Sequence, residues 1–367
     1  MTSATYDKEA NVNYLQNAWY AAAWNHEVGT GTLARTLLDE FVVFYRDETG
    51  KPVALTDRCP HRFAPLSRGK VSGGVIECPY HGLRFNAAGT CVHNPHGPIP
   101  DAAKVKSYPL LERYGLIWIW MGHADAADAA MLPRFDVIAD DENYAVVKGY
   151  LHLNTNYELI TDNLLDLSHA QFLHPLLGNP DSAERNRFRM NKVGNTVWAH
   201  NEMSGEPLTK LFQLMWRSES TVGDRRANMR WDPPAHLLLD VGFTECGRPV
   251  SEGPSMPSAH ILTPETGRST HYFWAAARDS LRDDAALSEK IRSGIDAAFR
   301  LEDEPMIAAC QARMSSTDLL SLKPLFLKTD AAAGMARRTL AALIAKEQAE
   351  SSTVVSPLSK NELEIES

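Results

Sequence analysis

A chain of 367 residues that is 44% hydrophobic can bury a full core, and on a prior of ~100 to 200 residues per domain it suggests about two domains. The net charge of −9 and a pI near 5.8 argue against nucleic acid or an anionic membrane as a partner, because both need basic surface. Five cysteines are an odd number, and Cys246 and Cys310 stand alone, so a disulfide framework is not expected and a reducing cytoplasm fits.

The N-terminus, MTSATYDKEANVN, has neither a basic n-region nor an apolar h-region, and no secretory leader is expected. Residues 1–135 read as β. EFVVFYRDETGKPVALTDRC holds two β-rich runs around a turn signal at Asp47 to Gly50, and GVIECPYHGLRFNAAGTCV repeats the strand, turn, strand pattern. LIWIWM at 116 to 121 falls far short of the ~20 residues that span a bilayer and reads as a buried strand. Residues 136–350 have a different texture. YELITDNLLDLSHAQFLH carries apolar residues at helical spacing, TVWAHNEM and PAHLLLDVGFTE read as strands, and DDAALSEKIRSGIDAAFRLEDEPMIAACQARM reads as one long amphipathic helix. The pattern predicts an α+β chain: an all-β domain, then helices against an antiparallel sheet. The tail, 351–367, is expected to be disordered.

The densest chemistry lies between residues 59 and 97, where three of the five cysteines and four of the thirteen histidines fall. Cys59 and His61 form C-x-H, and sixteen residues later Cys78 and His81 form C-x-x-H. Pro60 and Pro79 fix φ beside each cysteine, so each pair can occupy a loop tip, and two tips can grip one metal centre. Two cysteines on one iron and two histidines on the other are the ligand set of a Rieske [2Fe-2S] cluster. A mononuclear zinc site accepts the same residues, although its usual pairing is C-x-x-C with H-x-x-x-H, and plain turn chemistry is the third reading.

A cluster of that kind only carries electrons, so an enzyme needs a second site. NYELITDNLLDLSHAQFLH, 156 to 174, offers Asp162, Asn163, Asp166, His169 and His174. Asp166 and His169, three apart, share a helix face. His169 and His174, five apart, are about 140° apart on an ideal helix, so they can share a metal only where the helix is distorted or ends between them. Pro175 supports an ending there. By themselves, two histidines on a part-apolar helix are more often core or surface residues.

The segments CPHR, CPYHGLRF, CVHNPHG, ERYGLIWIWMG, DNLLDLSHAQFLH and HILTPET together resemble the Rieske non-heme iron oxygenases of the single-subunit type, the branch of dicamba monooxygenase and vanillate O-demethylase. The resemblance spans roughly residues 14 to 345. Respiratory Rieske proteins carry an extra cysteine in each loop; Arg62 and Tyr80 lie beside the ligands here instead. The resemblance implies a terminal oxygenase with a helix-grip-like C-terminal domain that binds mononuclear Fe(II) through His169, His174 and a late carboxylate. Asp303 in FRLED is chosen for the third position, with Glu302 as runner-up. Asn163 and Asp166 would act beside the iron. The resemblance further implies electrons from an NAD(P)H-dependent reductase through a ferredoxin, a small aromatic substrate, dioxygen, and a head-to-tail homotrimer. In that ring Asp166 would accept hydrogen bonds from His169 and from His81 of the partner subunit. His260 would be a polar group of the substrate pocket, Asp232 would add a carboxylate to it, and Gly294, where related enzymes carry tryptophan, would enlarge it. These expectations suggest oxidative O- or N-dealkylation of a larger or neutral arene. A ring-hydroxylating dioxygenase and a non-catalytic electron carrier are the alternatives.

Overall fold

The computed structural model describes residues 14–179, 184–216 and 218–354. The N-terminal segment 1–13 and residues 355–367 of the expected disordered tail lie outside the described residues, while 351–354 belong to the last helix.

Ten short strands come first: β1 (Trp19–Trp24), β2 (Leu33–Leu37), β3 (Glu40–Arg46), β4 (Pro52–Thr56), β5 (Lys70–Ser72), β6 (Val75–Glu77), β7 (Arg84–Phe85), β8 (Cys91–His93), β9 (Leu110–Arg113) and β10 (Leu116–Trp120). They form three antiparallel sheets in the orders β1-β10-β9, β2-β3-β4 and β5-β6-β7-β8. The β3–β4 turn closes as the sequence indicates, with Asp47 Oδ1 accepting from the Thr49 and Lys51 amides and Gly50 at φ 83°. β10 is buried throughout because it separates two cores: Ile117 and Ile119 face one, and Leu116, Trp118 and Trp120 the other.

The remainder is a seven-stranded antiparallel sheet with helices against it. In chain order it comprises β11 (Ala145–Leu153), α1 (Tyr157–Leu165), α2 (Ala170–Leu173), β12 (Arg187–Val193), β13 (Thr196–Pro207), α3 (Lys210–Gln213), β14 (Val222–Asp232), β15 (His236–Thr244), β16 (Ser258–Thr266), β17 (Ser269–Arg278), α4 (Ala285–Ala297), α5 (Glu304–Gln311) and α6 (Ala331–Val354). The sheet order is β11-β17-β16-β15-β14-β13-β12. The mixed α+β class expected from the sequence is what the chain adopts. One element differs, because the long helix read across 283–314 is split by a π turn at Ala298–Asp303. Pro305 has no N–H to give the Leu301 carbonyl, so the α ladder is interrupted there.

Two clamps hold the helices in register. Arg337 on α6 forks onto Asp162 (2.7–2.9 Å) and reaches Glu158 (2.9 Å), both on α1. Gln311 at the end of α5 accepts from the Asn156 amide at 2.7 Å and donates to the Asn154 carbonyl at 3.0 Å, tying α5 to the start of α1. The strands of the first part and the large sheet share one core, in which Ala22, Phe44 and Ile117 pack with Leu262 and Trp274. Buried polar bonds cross the same junction, from His236 to the Trp19 carbonyl (2.8 Å) and from His271 to that of Thr36 (2.9 Å). No helix among the described residues is long and apolar enough to cross a membrane.

Candidate metal centres and substrate cavity

The two loops singled out by the sequence fold alike. Cys59 N donates to the Ala64 carbonyl (2.9 Å) and Phe63 N to that of Cys59 (2.9 Å); Cys78 N donates to Leu83 (2.8 Å) and Gly82 N to Cys78 (3.1 Å). Each loop closes on a left-handed residue, Phe63 at φ 59° and Gly82 at φ 72°. Gly82 has no Cβ to strain, whereas Phe63 sits under the Arg58 guanidinium, 3.8 Å from its ring centroid. Cys59 and Cys78 are buried in a small core with Val43, Leu66, Ile76 and Phe85. Burial, reinforced by the adjacent Cys78, pushes the Cys59 thiol up to about 11 despite the backbone bond at His61, so two thiolates there need a cation. His61 is exposed and His81 half-buried, their ring centroids 4.5 Å apart. Two sulfurs inside and two imidazoles outside fit a two-iron cluster with one thiolate-held and one imidazole-held iron.

The second constellation is built by broken helices. α1 ends at Asp166 (φ −110°, ψ 84°), whose carboxylate accepts from Ser168 N at 3.0 Å and starts a tight turn over Leu167–His169. The single turn α2 follows, and His174 leaves it in extended conformation (φ −111°, ψ 96°) before Pro175. The helix thus ends between the two histidines, as their five-residue spacing demands. Their Nε2 atoms lie 3.2 Å apart, and each is close to Asp303 Oδ1, at 3.4 Å from His169 and 3.2 Å from His174. Three ligands at right angles on ~2.1 Å bonds would stand about 3.0 Å apart, so this triangle fits one face of an octahedron.

The imidazole tautomers are set from outside the triangle. His169 Nδ1 donates to the Asp166 main-chain carbonyl (2.6 Å), and His174 Nδ1 to Glu302 (2.6 Å), which leaves Nε2 of both rings facing inward. Asn163 on α1 donates to Asp303 Oδ1 at 3.1 Å. Burial raises the Asp303 carboxyl, but the bonds from His169 and His174 outweigh it and hold the group at about 2. Burial likewise opposes charge on His174, yet Asp303 and Glu302 keep it above its ordinary value. Two imidazoles and a permanent carboxylate form a donor set for a divalent metal ion.

A cavity of about 130 Å³ opens beside Asp303, between the sheet and α1, α2 and α4, with Leu164, Met229, Trp274 and Phe299 in its walls. His260 lines it as expected: Nδ1 bonds Tyr272 Oη at 2.7 Å, Nε2 has no protein partner, and burial pushes the ring down to about 4, leaving it neutral.

Three expectations are corrected. Asp232 does not face the cavity; Arg225, Ala227, Met229 and Trp231 point inward on β14, so Asp232 points outward, where it bonds Arg230 (2.7 Å) and Thr196 (2.6 Å). Gly294 does not line the cavity but an adjoining groove with Leu176, Leu211 and Lys290, while Ile295, about 100° further round α4, reaches the cavity. The Asp166 carboxylate does not bond His169 within the chain; it accepts from Ser168 N and from Thr329 Oγ1 (3.1 Å), and only its carbonyl meets the ring. Sequence reasoning missed Glu302 as the partner of His174 and Arg225 as a cavity residue. The odd-numbered alternation in DRRANMRWD was the available signal for Arg225.

Two family models cover most of this architecture: the Rieske [2Fe-2S] domain matches residues 18–109 and the vanillate O-demethylase oxygenase C-terminal domain matches 153–346. The oxygenase component of chloroacetanilide N-alkylformylase from Rhizorhabdus wittichii is 40% identical over 91% of this chain and 97% of its own. That of dicamba O-demethylase from Stenotrophomonas maltophilia is 36% identical, over 88% and 95%. The crystal structure of dicamba monooxygenase bound to 3,6-dichlorosalicylic acid superposes with a TM-score of 0.87 at 36% identity, covering 92% of this chain and all of that one. The fold and the paired centres define a Rieske-type oxygenase, an oxidoreductase with a [2Fe-2S] domain and a mononuclear iron domain. The chain belongs to the family of vanillate O-demethylase-type oxygenase components, which work within multi-component systems.

Proposed function

We propose that the chain is the terminal oxygenase of a monooxygenase system that removes an alkyl group from the oxygen or nitrogen of an aromatic substrate. The observation that carries this is the convergence of His169, His174 and Asp303 on an apolar cavity, in a chain that also carries the two cysteine–histidine loops. Cys59, Cys78, His61 and His81 would hold the cluster, and both histidine Nε2 atoms with Asp303 would hold iron(II). The metals supply single electrons and open coordination positions for dioxygen beside the substrate. Asn163 and Glu302 keep the three ligands oriented. Neutral His260 offers Nε2 to a substrate polar group, and Leu164, Trp274 and Phe299 exclude water from the reacting carbon.

In the balanced reaction one oxygen atom enters a C–H bond next to the heteroatom, and the other leaves as water with two electrons and two protons. The hemiacetal or hemiaminal then breaks its C–O or C–N bond and releases an aldehyde. The electrons come from an NAD(P)H-dependent reductase through a ferredoxin, and the five unpaired cysteines fit a cytoplasmic setting. In a head-to-tail trimer, His81 of the partner subunit would meet half-buried His169 across Asp166, which makes the heterologous interface part of the electron path.

The test is a reconstituted system with NADH, reductase and ferredoxin, screened by mass spectrometry over methoxy- and N-alkyl-arenes. The expected products are the dealkylated arene and stoichiometric aldehyde. A cis-dihydrodiol in their place would overturn the reading in favour of ring dioxygenation.

A further inference from the structure

The cavity has a polar end that the metal chemistry does not use. Arg225 is 9% exposed and lines the cavity, yet its Nε has no partner. Among the described residues its guanidinium has one hydrogen-bonding partner, fully buried Glu206, through Nη1 to Oε1 at 3.3 Å, and it stands 5.8 Å from the centre of the Phe243 ring. Buried donors of charged groups are rarely left unmade, because each forfeits its bonds to water. Burial also holds the guanidinium below its ordinary value, against the opposing pull of Glu206.

Register shows where this end lies. On the inner face Arg225 pairs with Phe243, Ala227 with Val241, Met229 with Leu239, and Trp231 with Leu237, which in turn pairs with His260. From the Arg225 row to the His260 row is six residues along β14, on the order of 20 Å at ~3.4 Å per residue. The cavity is therefore elongated, with Asp303 and His260 toward one end and Arg225, Thr209 and Phe212 toward the other. Between them the sheet contributes Ala227, Met229, Leu239 and Val241, which make no directional demand.

We propose that Arg225, neutralised by Glu206, is the specificity-determining residue at the end of the cavity remote from the metal triad. It donates to an uncharged acceptor, such as a carbonyl or sulfonyl oxygen, on an elongated aromatic substrate. The inference rests on the dealkylation reading of the same cavity and names the substrate class. A carboxylate or sulfonate would bring a second anion beside Glu206 for one cation, whereas a neutral acceptor completes the Arg225 donors and leaves the pair balanced. The pair thus selects for an acceptor and against an anion.

The experiment uses the holoenzyme under exclusion of dioxygen and three two-ring ligands of similar length: 4-(4-methoxyphenyl)acetanilide, with a neutral acceptor; 4-(4-propylphenyl)anisole, a propylanisole with none; and 4-(4-methoxyphenyl)benzoate, an anion. Affinities are read by calorimetry, with cluster absorbance and iron content confirming that each protein is folded and metallated. Wild type should bind the acetanilide about tenfold or more tighter than either of the others, the scale of one buried hydrogen bond to a charged donor. Glu206→Gln leaves an unpaired cation and should raise benzoate affinity about tenfold. The double variant Arg225→Met/Glu206→Gln leaves no lone buried ion and should bring the acetanilide to within about twofold of propylanisole. Should Glu206→Gln not fold, the double variant decides alone. A folded double variant that keeps the wild-type order overturns the proposal, as does wild type preferring the benzoate. If the expected order appears but no ligand yields formaldehyde with the electron-transfer proteins, the dealkylation reading fails and the subsite stands. If formaldehyde forms and the variants bind as wild type does, the reverse holds.

Discussion

Glu302 and Asp303 both bond His174, on opposite ring nitrogens: Glu302 at Nδ1 (2.6 Å), Asp303 at Nε2 (3.2 Å). Adjacent acids are hard to rank from sequence, but the tautomers rank them here. With Nδ1 of each histidine occupied, a metal would take Nε2 of both, and of the two acids only Asp303 reaches that side. Asp303→Ala should therefore abolish mononuclear iron binding while the cluster spectrum is retained. Glu302→Gln removes the charge behind His174 but leaves an acceptor, so iron affinity should fall about 10- to 100-fold, the usual cost of losing an outer partner of a ligand. Iron per protomer, measured after dialysis against a weak chelator, checks both. Full iron in Asp303→Ala with none in Glu302→Ala would reverse the assignment.

At the scale of elements, local pattern predicted what local chemistry decides, including the β3–β4 turn, the buried β10 strand and a helix ending before Pro175. What it could not show was the π turn. The acids and apolar residues of AAFRLEDEPMIA keep helical spacing straight through it, and only Pro305 hinted that the ladder breaks. Side-chain direction on β14 was also misjudged at Asp232, since a strand residue faces the pocket or the surface by parity alone, and Trp231 had already claimed the inner face. The π turn is itself testable. Deleting Leu301, whose side chain is 73% exposed, removes one residue from the turn without opening the core. The helix should close up as regular α, and because a π turn holds one residue more than an α turn, Asp303 should keep nearly its present direction relative to α4. We expect a folded protein that keeps both its cluster and its mononuclear iron, by circular dichroism, visible absorption and metal analysis. Loss of iron from a folded protein would mean that the turn's own geometry, beyond the register it keeps, aims Asp303.

The whole molecule depends on contacts that cross between its parts, and two kinds can be tested. The junction of the first strands with the large sheet includes His236 and His271, both pushed down to about 4 by burial, each bonded to a main-chain carbonyl across the junction. Unfolded, each titrates near 6.5, so below that pH the unfolded chain takes up protons that the folded chain refuses. Stability is therefore fully present above about 6.5 and is lost as pH falls toward 4, by roughly 1.4 kcal/mol per pH unit per histidine. Melting temperature should fall between about pH 6.5 and 5, and less steeply in His236→Gln; a flat profile would contradict the neutral, buried assignment. The second contact lies between subunits in the proposed ring. Within the chain, Asp166 uses its carboxylate oxygens for Ser168 N and Thr329 Oγ1, and an asparagine can serve both, accepting from the first and donating to the second. Asp166→Asn therefore keeps the helix break and both metals while removing the negative charge that His81 of the partner subunit would face. Rapid mixing of the pre-reduced, substrate-loaded protein with dioxygen should show cluster oxidation slowed by orders of magnitude, with iron content and the three-fold assembly unchanged. A carboxylate that only caps the turn before His169 would leave that rate at its wild-type value, and such a result would remove Asp166 from the electron path.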